Sequence, residues 1–214
     1  MKARRKILAC VVSASLLAGC SVLAGRRETI SVYDLTLTQS VRVEGAVAVS
    51  PWQLVVFEPE ALAPLDGSRI LVMPAPGQMQ VYRGARWRDA TPAMLQQLML
   101  RALQDSGRPI VAGPSSGIRS DFVLRSSLQD FQVELRGSLV VVIMRLNAQL
   151  IRSADGSVVA ARRFETEERC AGIRMQEVSA GFERATTKVL AELVEWVVAA
   201  GDGATGRENR LMGH

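Results

Sequence analysis

The stretch FVLRSSLQDFQVELRGSLVVVIMRLNAQL, residues 122–150, decides the fold. Phe122, Leu124 and Leu128 fall on one face of an extended chain, because side chains alternate across a strand. Phe131, Val133 and Leu135 hold the opposite parity. One uninterrupted strand cannot bury both sets on the same side, so the sequence predicts an inserted residue, a bulge near Gln129-Asp130. Val140, Val142, Met144, Leu146, Ala148 and Leu150 then alternate with Arg145, Asn147 and Gln149, the pattern of a half-buried antiparallel strand. Asp155-Gly156 is a hairpin turn into a further strand, residues 158–166.

Working outward from this meander, Val178, Phe182, Ala185, Val189, Leu193, Trp196 and Ala200 recur at spacings of three and four. Glu183, Lys188, Glu192 and Glu195 lie off that stripe, so a long amphipathic helix is expected to lie on the sheet. Upstream, Ile30, Val32 and Leu35 with Tyr33 and Leu37 suggest a first strand. Residues 52–57 and 69–73 are short β-rich runs separated by Pro59, Pro64 and Asp66-Gly67. Thr91-Pro92 opens a helix, with Thr91 expected as N-cap. Leu95, Leu98, Met99 and Ala102 form its buried stripe, and Gly107 ends it. The expectation is an α+β domain: an antiparallel sheet of about five to six strands with two helices packed on one face.

The first 21 residues are of another kind. Lys2, Arg4, Arg5 and Lys6 precede an apolar run from Ile7 to Leu17, too short to span a bilayer and suited to an export signal. The quartet Leu17-Ala18-Gly19-Cys20 resembles a bacterial lipobox, which makes Cys20 the lipidated residue and new N-terminus. The expected organisation is a signal at 1–19, a lipidated tether at 20–29, one domain at 30–200 and a flexible, Gly-rich tail at 201–214. Acyl chains anchor such a protein to a membrane. Ser21, rather than an aspartate, follows the cysteine, so the expected location is the outer membrane, periplasmic face.

Removing residues 1–19 takes four of the 26 basic residues and none of the 21 acidic ones, leaving 22 against 21. The sequence pI near 9.6 is thus largely a property of the signal, and no nucleic-acid partner is indicated. With Cys20 acylated and Cys10 removed, Cys170 is left alone and reads as a packed or half-buried thiol. The one histidine is His214, so neither a Ser-His-Asp nor a Cys-His arrangement has a base. No CxxC, HExxH or Gly-rich phosphate loop occurs, and no metal or cofactor is expected. Glu165, Glu167 and Glu168 interleave with Arg162, Arg163 and Arg169, as on a solvated strand face. These features argue against an enzyme.

The distinctive internal segment is residues 77–89, which carries Tyr82, Arg83, Arg86, Trp87 and Arg88 just before the first helix. Two readings are open. The five residues form a protein–protein interface, since aromatic rings and guanidinium groups anchor binding energy, or the rings cap the core beneath the helix. Here the chain resembles the auxiliary lipoproteins of ABC-type intermembrane transport systems, the paraquat-inducible system among them. The resemblance runs through Cys20, Tyr33-Asp34-Leu35, residues 69–73, Val81-Tyr82-Arg83 with Trp87, Asp121-Phe122, Asp155-Gly156 with Phe164, and Trp196. It implies a periplasm-spanning partner of the mammalian-cell-entry type, an ABC permease and ATPase, and a phospholipid or other apolar substrate. The chain itself would be a docking or structural piece, with assembly of copies into a homo-oligomer also open. A lipid-binding lipoprotein carrying cargo itself and a purely structural envelope lipoprotein are the alternatives.

Overall fold

The computed structural model describes residues 29–38 and 52–212. The lipobox and Cys20 lie outside the described residues. The spine of the fold is the pair that the sequence marks most strongly. Strand β7 (Phe122–Arg136) pairs antiparallel with β8 (Leu139–Arg152) along its whole length. β8 pairs antiparallel in turn with β9 (Val158–Cys170). The β7–β8 register slips between Leu128 and Asp130, so Gln129 is the inserted residue. That slip lets Leu128 and Phe131, three positions apart, both enter the core.

The other edge of β7 is served by three short strands in succession, all parallel to it. β2 (Gln53–Val56) pairs at Phe122–Leu124, β3 (Glu60–Ala61) at Ser127-Leu128, and β4 (Arg69–Ala75) at Gln132–Glu134. Beyond β4 lies β5 (Gln78–Trp87), antiparallel to it, and then β1 (Ser31–Tyr33), parallel to β5. β6 (Ile110–Ala112) runs parallel to β2. Among the described residues the sheet has nine strands and is mixed, where an antiparallel sheet of five to six strands was expected, while the α+β class with two helices holds. Alternation reports which face a residue takes but not which way its strand runs. β3 and β6, of two and three residues, are too short to show a period.

Helix α1 (Thr91–Asp105) links β5 to β6, and α2 (Met175–Met212) follows β9. The cap of α1 differs from expectation: Ala90 is the N-cap, and Thr91 is the first helical residue. Buried Thr91 instead turns its hydroxyl away, donating to the Gly67 carbonyl at 3.0 Å. Leu95, Leu98, Met99 and Ala102 are buried as expected, and Gln96 Nε2 donates to the Val56 carbonyl, tying α1 to β2. Gly107, at φ 68°, takes the left-handed conformation just past the helix.

One core fills the space between sheet and helices. It holds Leu54, Ile70, Leu124, Phe131, Met144, Leu146, Leu150 and Phe164 with Phe182, Val189 and Leu193 of α2. Trp196 packs at its margin, edge-on to Phe164 with ring centroids 5.6 Å apart. Cys170 is a free, half-buried thiol whose pKa burial pushes up. A Cβ on Gly181 would stand 2.5 Å from its sulfur, so this glycine lets α2 approach β9. The last helix runs past Ala200, where a flexible tail was expected to begin. α2 continues to Met212, with Gly201 and Ala204 buried and Gly201 lying against the Trp52 ring.

Candidate interaction surface

β5 places the five residues singled out above. Its first half is exposed, and β1 covers only its second half, where Val32 registers with Arg86 and Tyr33 with Trp87. The β4 ladder jumps from the pair Arg69–Arg86 to the pair Leu71–Val81. Five positions along β5 thus match two along β4. Gly84, at φ 67°, supplies the left-handed conformation for that bend.

The bend separates the five side chains into different environments. Trp87 is not a surface anchor. It is 1% exposed and stands edge-on to Phe182 at 5.1 Å, with Phe131 at 6.0 Å, so it belongs to the aromatic centre of the core. The physical reason is alternation: Arg86 faces solvent and Trp87 the core, where its N–H donates to the Ser68 carbonyl at 2.8 Å. Of the two readings open for this ring, the core cap is the observed one.

Tyr82 is half-buried. Its hydroxyl donates to the Ile173 carbonyl, between β9 and α2. Its pKa is raised, first by burial and then by neighbouring Tyr33 and Glu177. Glu177 is held by Arg174, whose guanidinium also lowers the pKa of that carboxyl group. Arg83 is exposed, without an ion pair among the described residues. Arg86 Nη1 donates to the Trp87 carbonyl at 3.0 Å, folding the guanidinium back along its own strand. Arg88 pairs with Asp34 at 2.9 Å, and its N–H donates to the Tyr33 carbonyl at 2.7 Å, closing β5 onto the segment after β1.

The surface set is therefore exposed Arg83, Arg86 and Arg88 with half-buried Tyr82, Val32 beside Arg86, and half-exposed Met79 and Val81 on the uncovered length of β5. Sequence reasoning missed Val32, Met79 and Val81 as surface residues. An apolar side chain in a strand pattern reads as core unless the strand's position at a sheet edge is known. Such a mixture of cations, a phenol and apolar side chains suits contact with another protein.

The glutamates of β9 are engaged in ion pairs. Arg136 bridges Glu134 and Glu167, each at 2.8 Å, and lowers the pKa of Glu167. Arg145 joins Asp130 at 2.8 Å and Glu165 at 3.6 Å, while Arg162 reaches Glu192 on α2 at 2.9 Å. Among the described residues no group of His, Cys, Asp and Glu is arranged to hold a metal ion.

Residues 33–194 match the family of ABC-type transport auxiliary lipoprotein components, and this chain belongs to that family. The family is one of lipoproteins, components of the cell envelope anchored to a membrane and associated with ABC transport. The crystal structure of protein XCC0632 from Xanthomonas campestris superposes with a TM-score of 0.77 at 36% identity, over 82% of this chain and 99% of that one. A second crystal structure, of an uncharacterized protein, gives 0.60 at 17% identity over 79% and 99% of the two chains, a likeness of fold alone. The uncharacterized protein bll6063 of Bradyrhizobium diazoefficiens is 26% identical over 169 residues, 78% of this chain. The match takes in 45% of that protein, so this chain spans about half the length of that relative.

Proposed function

We propose that this protein is a non-catalytic, lipid-anchored component of an ABC-type intermembrane lipid transport system, at the periplasmic face of the outer membrane. In this reading it docks a periplasm-spanning partner of the mammalian-cell-entry type, which connects to an ABC permease and ATPase. The observation that carries the docking role is the surface of β5, where exposed Arg83 and Arg86, half-buried Tyr82 and the following Arg88 flank a strand whose Trp87 is locked into the core. A fixed strand presenting guanidinium groups and an aromatic ring pre-organises contact residues and lowers the entropy lost on binding. Membership of the auxiliary family and the Cys20 lipobox support the same reading.

The test is a pull-down with the spanning protein together with sizing of the full chain, for Arg83→Ala and Arg86→Ala. Both variants are expected to fold and to lose partner binding or self-assembly. Wild-type binding and wild-type assembly in both would overturn the interface.

A second reading, transport of an apolar molecule by this chain itself, is favoured by one feature. An open groove of about 590 Å³ lies between the loop after β3 and the strands β4, β5 and β7. Leu62, Leu65, Met73 and Met79 give it an apolar lining, and Leu62 is 84% exposed. Quenching of a fluorescent fatty acid by the purified protein, lost in Leu62→Asp, would support this reading over docking alone.

A further inference from the structure

Where β2 and β7 begin and β8 ends, a cleft of about 720 Å³ opens above the buried pair Trp52 and Phe122. Its backbone is tied on both sides: Asp121 N–H donates to the Gln53 carbonyl at 2.9 Å, and Ser153 N–H donates to the Asp121 carbonyl at 2.8 Å. Two guanidinium groups line it, Arg119 and Arg152. The hydroxyls of Ser120 and Ser153, 3.1 Å apart, sit between these elements.

Among the described residues that line the cleft, two guanidinium groups stand against one carboxylate, Asp121, which accepts from Gln53 N–H at 2.7 Å. Arg152 pairs with Asp155 at 3.6 Å, a carboxylate outside the cleft lining whose pKa is lowered first by the hydroxyl and N–H of Ser157 and then by this guanidinium. Arg152 Nε is buried with no hydrogen-bond partner. Arg119 has no ion pair among the described residues. The accessible end of a guanidinium group presents a planar fork of N–H donors, and the acceptor that suits such a fork best is a planar or tetrahedral oxyanion.

We propose that this cleft is an anion site that takes a phosphate group, with Arg152 and Arg119 as its cationic contacts and Ser120 and Ser153 as hydroxyl donors. The phosphate could come from a phospholipid headgroup or from a free phosphate, and the site's chemistry is the same for both. It stands on residues remote in sequence from β5, so it neither requires nor follows from the docking reading.

The test is isothermal titration calorimetry on the full lipidated chain in a non-ionic detergent, with two probes, inorganic phosphate and glycerophosphoglycerol. Saturable binding of at least one is expected, at least about tenfold weaker in Arg152→Gln, the scale of one lost charge-assisted hydrogen bond. Tighter binding of glycerophosphoglycerol assigns the site to a headgroup, and tighter binding of inorganic phosphate assigns it to the free ion. Exposed Arg119→Ala decides the matter should Arg152→Gln fail to fold, and it too must weaken binding. No saturable heat with either probe, or unchanged affinity in Arg119→Ala, overturns the proposal. So does binding retained when both arginines are replaced.

Discussion

The α-carbon of Gly201 lies against the indole of Trp52, so that a methyl group added there would stand 2.4 Å from ring carbon Cζ2. The indole cannot move aside freely, because its Nε1 donates to Asp202 Oδ1 at 2.8 Å, and Asp202 Oδ2 accepts from Arg108 at 3.0 Å. The last part of α2 thus closes the end of the core where β2 begins, instead of trailing from it.

This contact makes the sign of a glycine substitution unusual. In an exposed helix, Gly→Ala gains about 1 kcal/mol. In Gly201→Ala the added methyl overpacks the indole, which costs about 1–3 kcal/mol, so a net loss of stability is expected. Removing residues 201–214 should cost more, since it uncovers Trp52 as well. Urea denaturation of the full chain and both variants checks this, and a raised midpoint for Gly201→Ala would refute the fixed position of the ring.

Trp87 and Arg83 lie four positions apart on one strand yet should respond in opposite ways. Trp87→Ala removes a ring packed on Phe182 and Phe131, and core Trp→Ala changes cost about 3–5 kcal/mol. Arg83→Ala, at an exposed position, should stay within about 0.5 kcal/mol of wild type. Thermal unfolding of the two variants measures both. Equal effects would mean that the bend at Gly84 does not divide the strand as described.

These residues also show what was legible beforehand. The bulge at Gln129 could be read because Leu128 and Phe131 conflict in parity, and α2 could be read from Phe182 to Leu193 because its stripe is strong. β5 carries no readable strand pattern in the sequence, since Gly84 breaks its period. The parallel direction of β2, β3 and β4 left no trace, since strand direction is set by the connections and not by alternation. Gly201 looked like the start of a frayed tail. Its small size answers to Trp52, a partner 149 positions earlier that no local pattern contains. Of the candidate interface residues, the chemistry was visible but the division was not. An aromatic beside arginines has the same local sequence whether it faces the core, as Trp87 does, or a groove.

Lipidation at Cys20 rests on the short apolar run ending in Leu17-Ala18-Gly19. Cys20→Ala is expected to leave an unprocessed or soluble precursor, because membrane attachment by acyl chains is lost with the thiol that carries them. Detergent-phase partitioning after cell fractionation measures it. A variant that still enters the detergent phase would show that another segment holds the protein to the membrane.

Tyr82 gives a pH-dependent test of the link between β5 and the segment before α2. Its hydroxyl donates to the Ile173 carbonyl, and only the neutral phenol can do so. Burial raises its pKa, with Tyr33 and Glu177 adding to the shift. A pKa higher in the folded than in the unfolded chain means that the folded chain holds the proton more tightly. The contribution to stability is therefore complete below the ordinary phenol value of about 10 and is lost as pH rises through the folded value. Tyr82→Phe should cost about 0.5–1.5 kcal/mol at neutral pH, the worth of one hydrogen bond. The gap between wild type and variant should then narrow above about pH 10, where the wild-type phenol ionises. Urea unfolding of both chains at pH 7.5 and pH 10.5 reads the two gaps directly. If the gap is the same at both values, the Tyr82 hydroxyl contributes nothing that depends on its proton, and the tie to Ile173 is not what holds the bend of β5 in place.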